Sequence, residues 1–242
     1  MSARKRSRNH RVLKRALLVL VVLLFLGGAS YLIWFSDALT LRAIDVLGAE
    51  LVNKEVISGP VEGNILFWKL PINISDYPQI ASVQIKKDFV ERKVKVTVTE
   101  RGKVLIWCDN ENENCFWADE NGFIFTTAPI PEGTLVVNVV RDSTGRELKV
   151  GDSVLAQDLF VNLKRAIELL EGLDASIREI RLDDLKFKEA TAVIVGGPEV
   201  YFSLTIDPGF GKGVLESLMS VPNWGAIRYV DLRVENRAYY SL

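Results

Sequence analysis

The stretch RKVKVTVTE, residues 92–100, decides how the first half of this chain folds. Val94, Val96 and Val98 alternate with lysines and threonines, which is the two-residue period of a strand with one buried face. The segment ASVQIKKDF, residues 81–89, has a weaker alternation of the same kind and precedes it by one short turn. We therefore predict two consecutive strands whose valines face a core and whose polar side chains face solvent.

The residues upstream of these strands complete a small module. LRAIDVLG, residues 41–48, is typical of a strand closed by a glycine. Asn53 is suited to cap a short helix that Gly59 ends, and we expect a second short helix around residues 72–79, bounded by Pro71 and Pro78. The order strand, helix, helix, strand, strand predicts a small α+β layer over residues 41–101, with its helices on one face of the sheet.

Residues 102–236 have a different pattern, which predicts a mainly antiparallel β domain with two helices. The first four apolar strands recur about every ten residues, which favours an antiparallel meander. Apolar residues spaced by three and four predict helices at 155–171 and 213–221. The fold class of the chain is therefore α+β. The strands predicted in this domain lie at residues 104–108, 115–119, 123–127, 135–140, 177–182, 190–195, 200–206 and 229–235.

The last of these strands raises a question of pairing. Val230, Leu232 and Val234 alternate with polar residues, but no obvious strand follows them before Leu242. We expect this strand to form an open edge of the sheet, with residues 237–242 as a tail or as the end of the edge strand.

The N-terminus predicts a membrane anchor. Residues 1–15 carry seven basic residues and no acidic one, whereas residues 16–35 carry no charge. A helix of twenty residues spans about 30 Å, the thickness of a bilayer core. The basic tail should remain in the cytoplasm and the rest of the chain should lie outside. The alternative is a signal peptide cleaved near Ala29, but the apolar run continues through Phe35 and favours a retained transmembrane helix.

Cys108 and Cys115 are the two cysteines of the sequence, and six polar residues separate them. This spacing predicts a hairpin loop whose flanking strands bring the thiols face to face. An extracytoplasmic location permits a disulfide, and two free thiols are the alternative.

Several classes of function lack the residues that they need. His10 is the single histidine, so the chain after the basic tail has no histidine for a Ser-His-Asp or Cys-His site or for a zinc site. Asp183 and Asp184 are neighbours and would point to opposite faces of a strand. Lys212 is followed by Gly213, where a phosphate-binding loop needs serine or threonine. We therefore expect no enzyme, no catalytic, cofactor or metal site, and no small-molecule substrate.

Because the basic residues concentrate in the tail, the remainder of the chain is acidic, and nucleic acid is not expected as a partner.

Four stretches together carry a resemblance to a known family. They occur in the order LRAIDVLGAELVNKEVI (41–57), VKVTVTERGKVLIW (94–107), FWADENGFIF (116–125) and YVDLR (229–233). With the basic tail and the apolar segment, this arrangement resembles the FtsQ/DivIB family of bacterial cell-division proteins. The resemblance implies that residues 41–101 form a POTRA domain and that a β domain follows it.

The resemblance also implies a function. Members of this family are non-enzymatic scaffolds in the bacterial plasma membrane, concentrated at the division septum. They cross the membrane once, with the N-terminus in the cytoplasm. They bind other single-pass division proteins, of the FtsB/DivIC and FtsL types, and so help to recruit and regulate septal peptidoglycan synthases.

The partner-binding residues follow from the same resemblance. In the family, the strand after the Asp-Leu-Arg motif lies at the sheet edge and receives a segment of FtsB. The corresponding positions are Val234, Glu235, Asn236, Arg237, Ala238, Tyr239 and Tyr240. Arg178 aligns loosely with a further contact of the family, and an ordinary surface arginine is the alternative there. An inert tail is the alternative for the two tyrosines.

Two other functional classes remain open. One is a membrane-anchored POTRA-type binding module in protein secretion or envelope assembly, and the other is a cell-wall enzyme. The missing catalytic residues disfavour the enzyme. Imaging of dividing cells distinguishes the division scaffold from the secretion module.

Overall fold

The structure, a computed structural model, has an α+β fold with an apolar N-terminal helix, a three-stranded sheet and a large mixed sheet. It describes residues 3–35, 37–109, 114–131 and 138–242. By its internal contacts the chain forms two compact units. The first unit comprises the residues up to 73 together with 82–100, and the second comprises 74–81 together with 101–242.

Helix α1, Ala3–Phe35, begins inside the basic segment and continues through the apolar one, so the predicted tail and span form one helix. Its segment Lys14–Leu32 is long and apolar enough to cross a membrane, and none of it is buried within the protein. The leucine and valine side chains from Leu17 to Leu26 are all exposed. Such a surface is compatible with a membrane anchor, although a signal sequence would have the same properties.

The three-stranded sheet of the first unit contains β1 (Ala43–Leu47), β2 (Ile80–Asp88) and β3 (Lys93–Glu100), in the order β1-β3-β2. Strand β3 is central and pairs with β1 in parallel, with Val96 opposite Val46. Val94 and Val96 are fully buried and Val98 is 3% exposed, so the predicted alternation of β3 is confirmed.

Helix α2, Lys54–Ser58, begins as predicted. Asn53 Oδ1 accepts a hydrogen bond from the Glu55 amide at 3.0 Å, and Gly59 ends the helix. The second short helix predicted around residues 72–79 is present only as a single 3-10 turn, Ile74–Asp76. Proline disfavours helical backbone in the residue before it, so Pro78 leaves room for a single turn.

The second unit contains a nine-stranded sheet. Its first three strands, β4, β5 and β6, form the predicted antiparallel meander. The strands are β4 (Leu105–Asp109), β5 (Asn114–Ala118), β6 (Ile124–Ala128), β7 (Asn138–Asp142), β8 (Ile177–Leu182), β9 (Glu189–Ile194), β10 (Glu199–Ser203), β11 (Tyr229–Leu232) and β12 (Tyr239–Ser241). Their order across the sheet is β12-β11-β10-β9-β8-β7-β4-β5-β6.

The prediction that the fourth strand extends this meander is wrong. Strand β7 lies on the other side of β4 and pairs with it in parallel, and it also pairs in parallel with β8. Regular spacing indicates that strands are present, but it does not determine which edge each strand joins. The first three residues of the predicted strand 135–140 lie outside the described residues.

Two helices pack on one face of this sheet and share its hydrophobic core. They are α3 (Gln157–Glu171) and α4 (Lys212–Met219). The predicted stripe of α3 is buried and packs in one cluster with the inner faces of the last strands, including Val200 and Val230. The buried residues of α3 are Leu159, Phe160, Leu163, Ala166, Ile167 and Leu170.

A disulfide joins Cys108 and Cys115. The two residues lie directly opposite each other in the pairing of β4 with β5. With Ile106 and Val139 they form a small apolar cluster that is separate from the main core. The loop between the two strands lies outside the described residues at positions 110–113.

The turn between β5 and β6 explains one of the motifs of the resemblance. Asp119 Oδ1 accepts hydrogen bonds from the amides of Asn121 at 2.8 Å and Phe123 at 3.0 Å. Gly122 has φ +75°, and a Cβ there would lie 2.8 Å from the ring of Phe160. The aspartate and the glycine of this motif therefore build the turn and pack it on α3.

Replacing Gly122 with alanine should destabilise the protein by about 2–4 kcal/mol, because a left-handed backbone and an overpacked contact with Phe160 both cost free energy. Urea denaturation of the detergent-solubilised chain, followed by tryptophan fluorescence, measures this loss. Gly102→Ala is the control, since a Cβ at Gly102 meets nothing within 4 Å. Equal denaturation midpoints for the two variants would contradict this account of the turn.

A buried carboxylate on β7 is surrounded by hydrogen-bond donors. Asp142 is 2% exposed and accepts hydrogen bonds from Trp107 Nε1 at 3.1 Å and Arg146 Nη2 at 2.6 Å. Burial raises the pKa of Asp142, but the hydrogen bonds from Thr144 and Arg146 outweigh it and hold that pKa below its ordinary value. The folded state therefore favours the carboxylate.

We expect Asp142 to contribute stability that is complete above its ordinary pKa near 4 and is lost as the pH falls through its lower folded pKa. The Asp142→Asn variant should consequently lose less stability than the parent between neutral pH and about pH 2. Urea midpoints measured across this range provide the comparison. Parallel pH profiles would show that the Asp142 carboxylate does not contribute to the acid sensitivity.

Candidate functional site

The C-terminal edge of the large sheet is built on β11. This strand pairs in parallel with β10, with Val230 opposite Val200. Val230 and Leu232 are buried in the core, whereas Tyr229 and Asp231 are partly exposed. The predicted alternation of the last strand is therefore confirmed for Tyr229–Leu232.

The chain reverses direction immediately after this strand. The Arg237 amide donates a hydrogen bond to the Val234 carbonyl oxygen at 3.0 Å, and Asn236 adopts φ +58°. Strand β12 then pairs with β11 in antiparallel orientation. The prediction that the strand extends to residue 235 and leaves its edge open is wrong, because the protein's own chain covers β11. The prediction extended the strand because Val234 continues the apolar alternation. The chain turns instead, and Asn236 tolerates the left-handed backbone that this turn requires.

Strand β12 is consequently the terminal strand of the sheet. Within the part of the chain that the structure describes, its outer side pairs with no other strand. Tyr240 lies opposite Val230, on the face of the core, and Tyr239 lies opposite Asp231, on the other face. Tyr239 is 50% exposed and Tyr240 is 56% exposed, so each face of this edge carries an accessible aromatic ring.

The structure brings seven of the predicted binding residues together in one hairpin. Its turn contains Val234, Glu235, Asn236 and Arg237, all exposed. Ala238 is half-buried and packs against the main core, and the two tyrosines follow in β12.

Arg178 lies elsewhere. It is an exposed residue of β8, at an irregularity in the pairing with β9. Four strand spacings separate β8 from β12, which corresponds to about 19 Å. The structure therefore does not place Arg178 at the C-terminal edge.

An ion-pair network at the end of β11 holds this edge in place. Arg233 Nη2 lies 2.6 Å from Asp231 Oδ2, and Arg233 Nη1 lies 2.8 Å from Glu189 Oε2 on β9. The guanidinium group also lies over the ring of Tyr201, 5.3 Å from its centroid. Hydrogen bonding to Asp231 and Glu189 raises the pKa of Arg233, and hydrogen bonding from Arg233 lowers the pKa of Asp231. The arginine of the Asp-Leu-Arg motif thus links the end of β11 to β9.

Side chains of the neighbouring strands extend this network across the polar face of the sheet. Arg181 of β8 pairs with Glu199 of β10, and the Tyr201 hydroxyl donates a hydrogen bond to Glu199 at 3.0 Å. Tyr201 stacks on Tyr229 with ring centroids 5.6 Å apart. Burial, together with the hydrogen bond to Glu199, raises the pKa of Tyr201.

Sequence reasoning missed these residues as a group. Alternation along the strands places them on the polar face, but their pairing depends on a strand order that the sequence does not reveal.

No family model matches this sequence, and no characterised protein matches it detectably. The geometry of the C-terminal edge and the resemblance of short motifs therefore carry the functional argument.

Replacing Arg233 with alanine should loosen β12, because the variant lacks the guanidinium group that links β11 to β9. We expect a small loss of global stability, about 0.5–1 kcal/mol, since the ion pairs are partly exposed. Chymotrypsin cleavage after Tyr239 and Tyr240 should become several-fold faster as the edge opens locally. Arg178→Ala is the control and should be cleaved at the parent's rate. Unchanged cleavage in Arg233→Ala would refute the bracing role.

Proposed function

We propose that this protein is a non-enzymatic scaffold of the FtsQ/DivIB type, anchored in the bacterial plasma membrane at the division septum. In this proposal it binds single-pass division proteins of the FtsB/DivIC and FtsL types and so helps to recruit and regulate septal peptidoglycan synthesis. The observation that carries the proposal is the accessible terminal strand β12, with Tyr239 and Tyr240, on a sheet braced by Arg233.

The edge supports binding through backbone groups. A terminal strand presents N–H and C=O groups that an added strand can pair with, and alternate side chains then provide selectivity. Strand β12 has three residues, so its length is about 10 Å. Few backbone hydrogen bonds to a partner strand fit in that length, so side-chain contacts have to supply much of the affinity.

Tyr240 is the better placed of the two anchors. It lies on the same face as the buried Val230, where a partner's apolar side chain would extend the core by one strand. Tyr239 lies on the polar face, with its hydroxyl 3.5 Å from Arg237 Nη1. Buried tyrosines are frequent hot spots of binding. We therefore expect Tyr240 to contribute more to affinity than Tyr239.

The N-terminal helix supports the anchoring part of the proposal. A chain held in the membrane meets other membrane-held proteins at a raised effective concentration, so moderate affinity at the edge is sufficient. The seven basic residues before the apolar segment favour a cytoplasmic N-terminus. The disulfide between Cys108 and Cys115 is consistent with an oxidising compartment outside the membrane.

The first unit supports a POTRA-type assignment through its strand order. A strand and a short helix precede two further strands, and the third strand lies between the other two. We expect a binding module rather than a catalytic domain, because the sequence after the basic tail contains no histidine for a Ser-His-Asp or Cys-His site. In the proposal, this unit offers a second docking surface.

Replacing Tyr240 with alanine should weaken binding of the FtsB-type partner at least about tenfold, as expected for truncation of a central aromatic anchor. Co-purification of the tagged full chain from native membranes, followed by titration, measures the change. Thr127→Ala is the matched control, because Thr127 is exposed on β6 at the opposite end of the sheet. Tyr239→Ala should have a smaller effect.

Equal loss of binding in the Tyr240 and Thr127 variants, or no loss in either variant, would exclude β12 as the docking edge. A fluorescent fusion of the full chain tests the cellular part of the proposal separately. We expect a band at the septum of dividing cells. A uniform envelope signal would contradict the division role and would favour the POTRA-type module of secretion or envelope assembly.

A further inference from the structure

The membrane-proximal end of the first unit carries exposed apolar side chains that the proposed partner interface does not use. Phe67 is 50% exposed, Phe89 is 49% exposed and Val90 is 93% exposed. Leu66 beside them is 42% exposed. We call these four residues the juxtamembrane surface. Such a group of apolar side chains indicates a binding surface rather than ordinary solvent-exposed structure.

The first part of this surface is attached directly to the end of the anchor helix. The Leu41 amide donates to the Gly63 carbonyl oxygen and the Ile65 amide to that of Leu39, each at 2.9 Å. The rings of Trp34 and Phe67 stack with centroids 4.7 Å apart. Trp34 lies two residues beyond the apolar segment that ends at Leu32, a rise of about 3 Å along a helix. Phe67 therefore lies within about 10 Å of the apolar segment's end, at the depth of the lipid headgroups.

The second part is the turn between β2 and β3, and the strand directions place it at the same end. Strand β1 begins near the anchor, β3 runs parallel to it, and the turn immediately precedes β3. The Arg42 amide donates to the Arg92 carbonyl oxygen at 2.9 Å, and the Arg92 guanidinium donates to the Asp37 carbonyl oxygen. Phe89 and Val90 are thereby held close to the residues that directly follow α1.

A lysine joins the two parts. Lys87 Nζ donates hydrogen bonds to the carbonyl oxygens of Leu66 at 3.0 Å and Trp68 at 2.9 Å. Asp88 Oδ1 accepts from the amides of Val90 and Glu91, both at 2.9 Å, and so fixes the tip of the turn. The surface is therefore already formed, and binding would not require further ordering of the backbone.

The charge around the turn is complementary to an anionic bilayer. Residues 86–93 contain four basic residues, Lys86, Lys87, Arg92 and Lys93, and two acidic ones. Asp88 caps the turn and Glu91 pairs with Lys93 at 3.0 Å, so the segment keeps a net charge of +2. Aromatic side chains flanked by lysine and arginine are typical of segments that lie at the membrane–water interface.

From this geometry we infer that the juxtamembrane surface binds the bilayer in which α1 is anchored, with Phe67, Phe89 and Val90 at the boundary between headgroups and acyl chains. The basic side chains around them would contact anionic phospholipid headgroups. The inference rests on the proposed membrane anchorage. Its consequence is that the first unit is held against the membrane at three places, α1, the Phe67 segment and the Phe89–Val90 turn, instead of swinging from a single tether.

Site-directed spin labelling of the full chain tests this inference. The two native cysteines are bonded to each other, so one introduced cysteine can be labelled uniquely. Val90→Cys and Phe67→Cys report on the surface. Leu51→Cys is the matched control, because Leu51 is also apolar and 46% exposed but lies near the far ends of β1 and β3. Single copies are placed in lipid nanodiscs of phosphatidylcholine and phosphatidylglycerol.

Collision of the label with oxygen, relative to a water-soluble nickel chelate, reports depth in the bilayer. We expect this ratio to be several-fold higher at positions 90 and 67 than at position 51. Because each disc holds only lipid and one copy of this chain, a second protein cannot account for that result. Similar ratios at all three positions, in protein that stays with the discs, would overturn the inference alone. Release of the parent chain from membranes by alkaline carbonate would instead overturn the anchorage on which it rests.

Discussion

The pairing of β12 with β11 determines where the large sheet ends, and the account of function depends on it. Without that pairing, β11 would be the terminal strand, and Tyr239 and Tyr240 would belong to an unpaired tail. With it, the edge moves outward by one strand, and both tyrosines acquire defined faces opposite Val230 and Asp231. The turn at Asn236 makes the reversal possible, and Arg233 links the start of that turn to Glu189 on β9.

The outer strand is short and exposed, while the strands beneath it are held by the core. Val230 is fully buried and Leu232 is 1% exposed, in the same cluster as the apolar stripe of α3. A partner would therefore meet a rigid platform that ends in three accessible residues. Short terminal strands also limit uncontrolled pairing with other chains, so selectivity would come from the aromatic side chains and from the exposed turn beside them.

Local patterns allowed much of the fold to be predicted. The valines of Lys93–Glu100, the stripe of Gln157–Glu171 and the cap at Asn53 each depend on residues within one or two turns of the chain. Non-local relations could not be obtained in this way. Strand β7 joins the far side of β4, and Arg233 meets a carboxylate 44 residues away in sequence. The last turn was missed because it contains neither glycine nor proline, and because Val234 continues the apolar alternation of the strand before it.

Hydrogen–deuterium exchange of the full chain, measured with and without an FtsB-type partner, reports on the backbone of β12 and so tests whether this strand is the docking edge. We expect the amides of Tyr239–Ser241 to gain protection when the partner binds, while those of Ile124–Ala128 at the opposite edge of the sheet do not change. Partner binding that leaves Tyr239–Ser241 unprotected, or that protects the opposite edge instead, would exclude β12 as the docking edge.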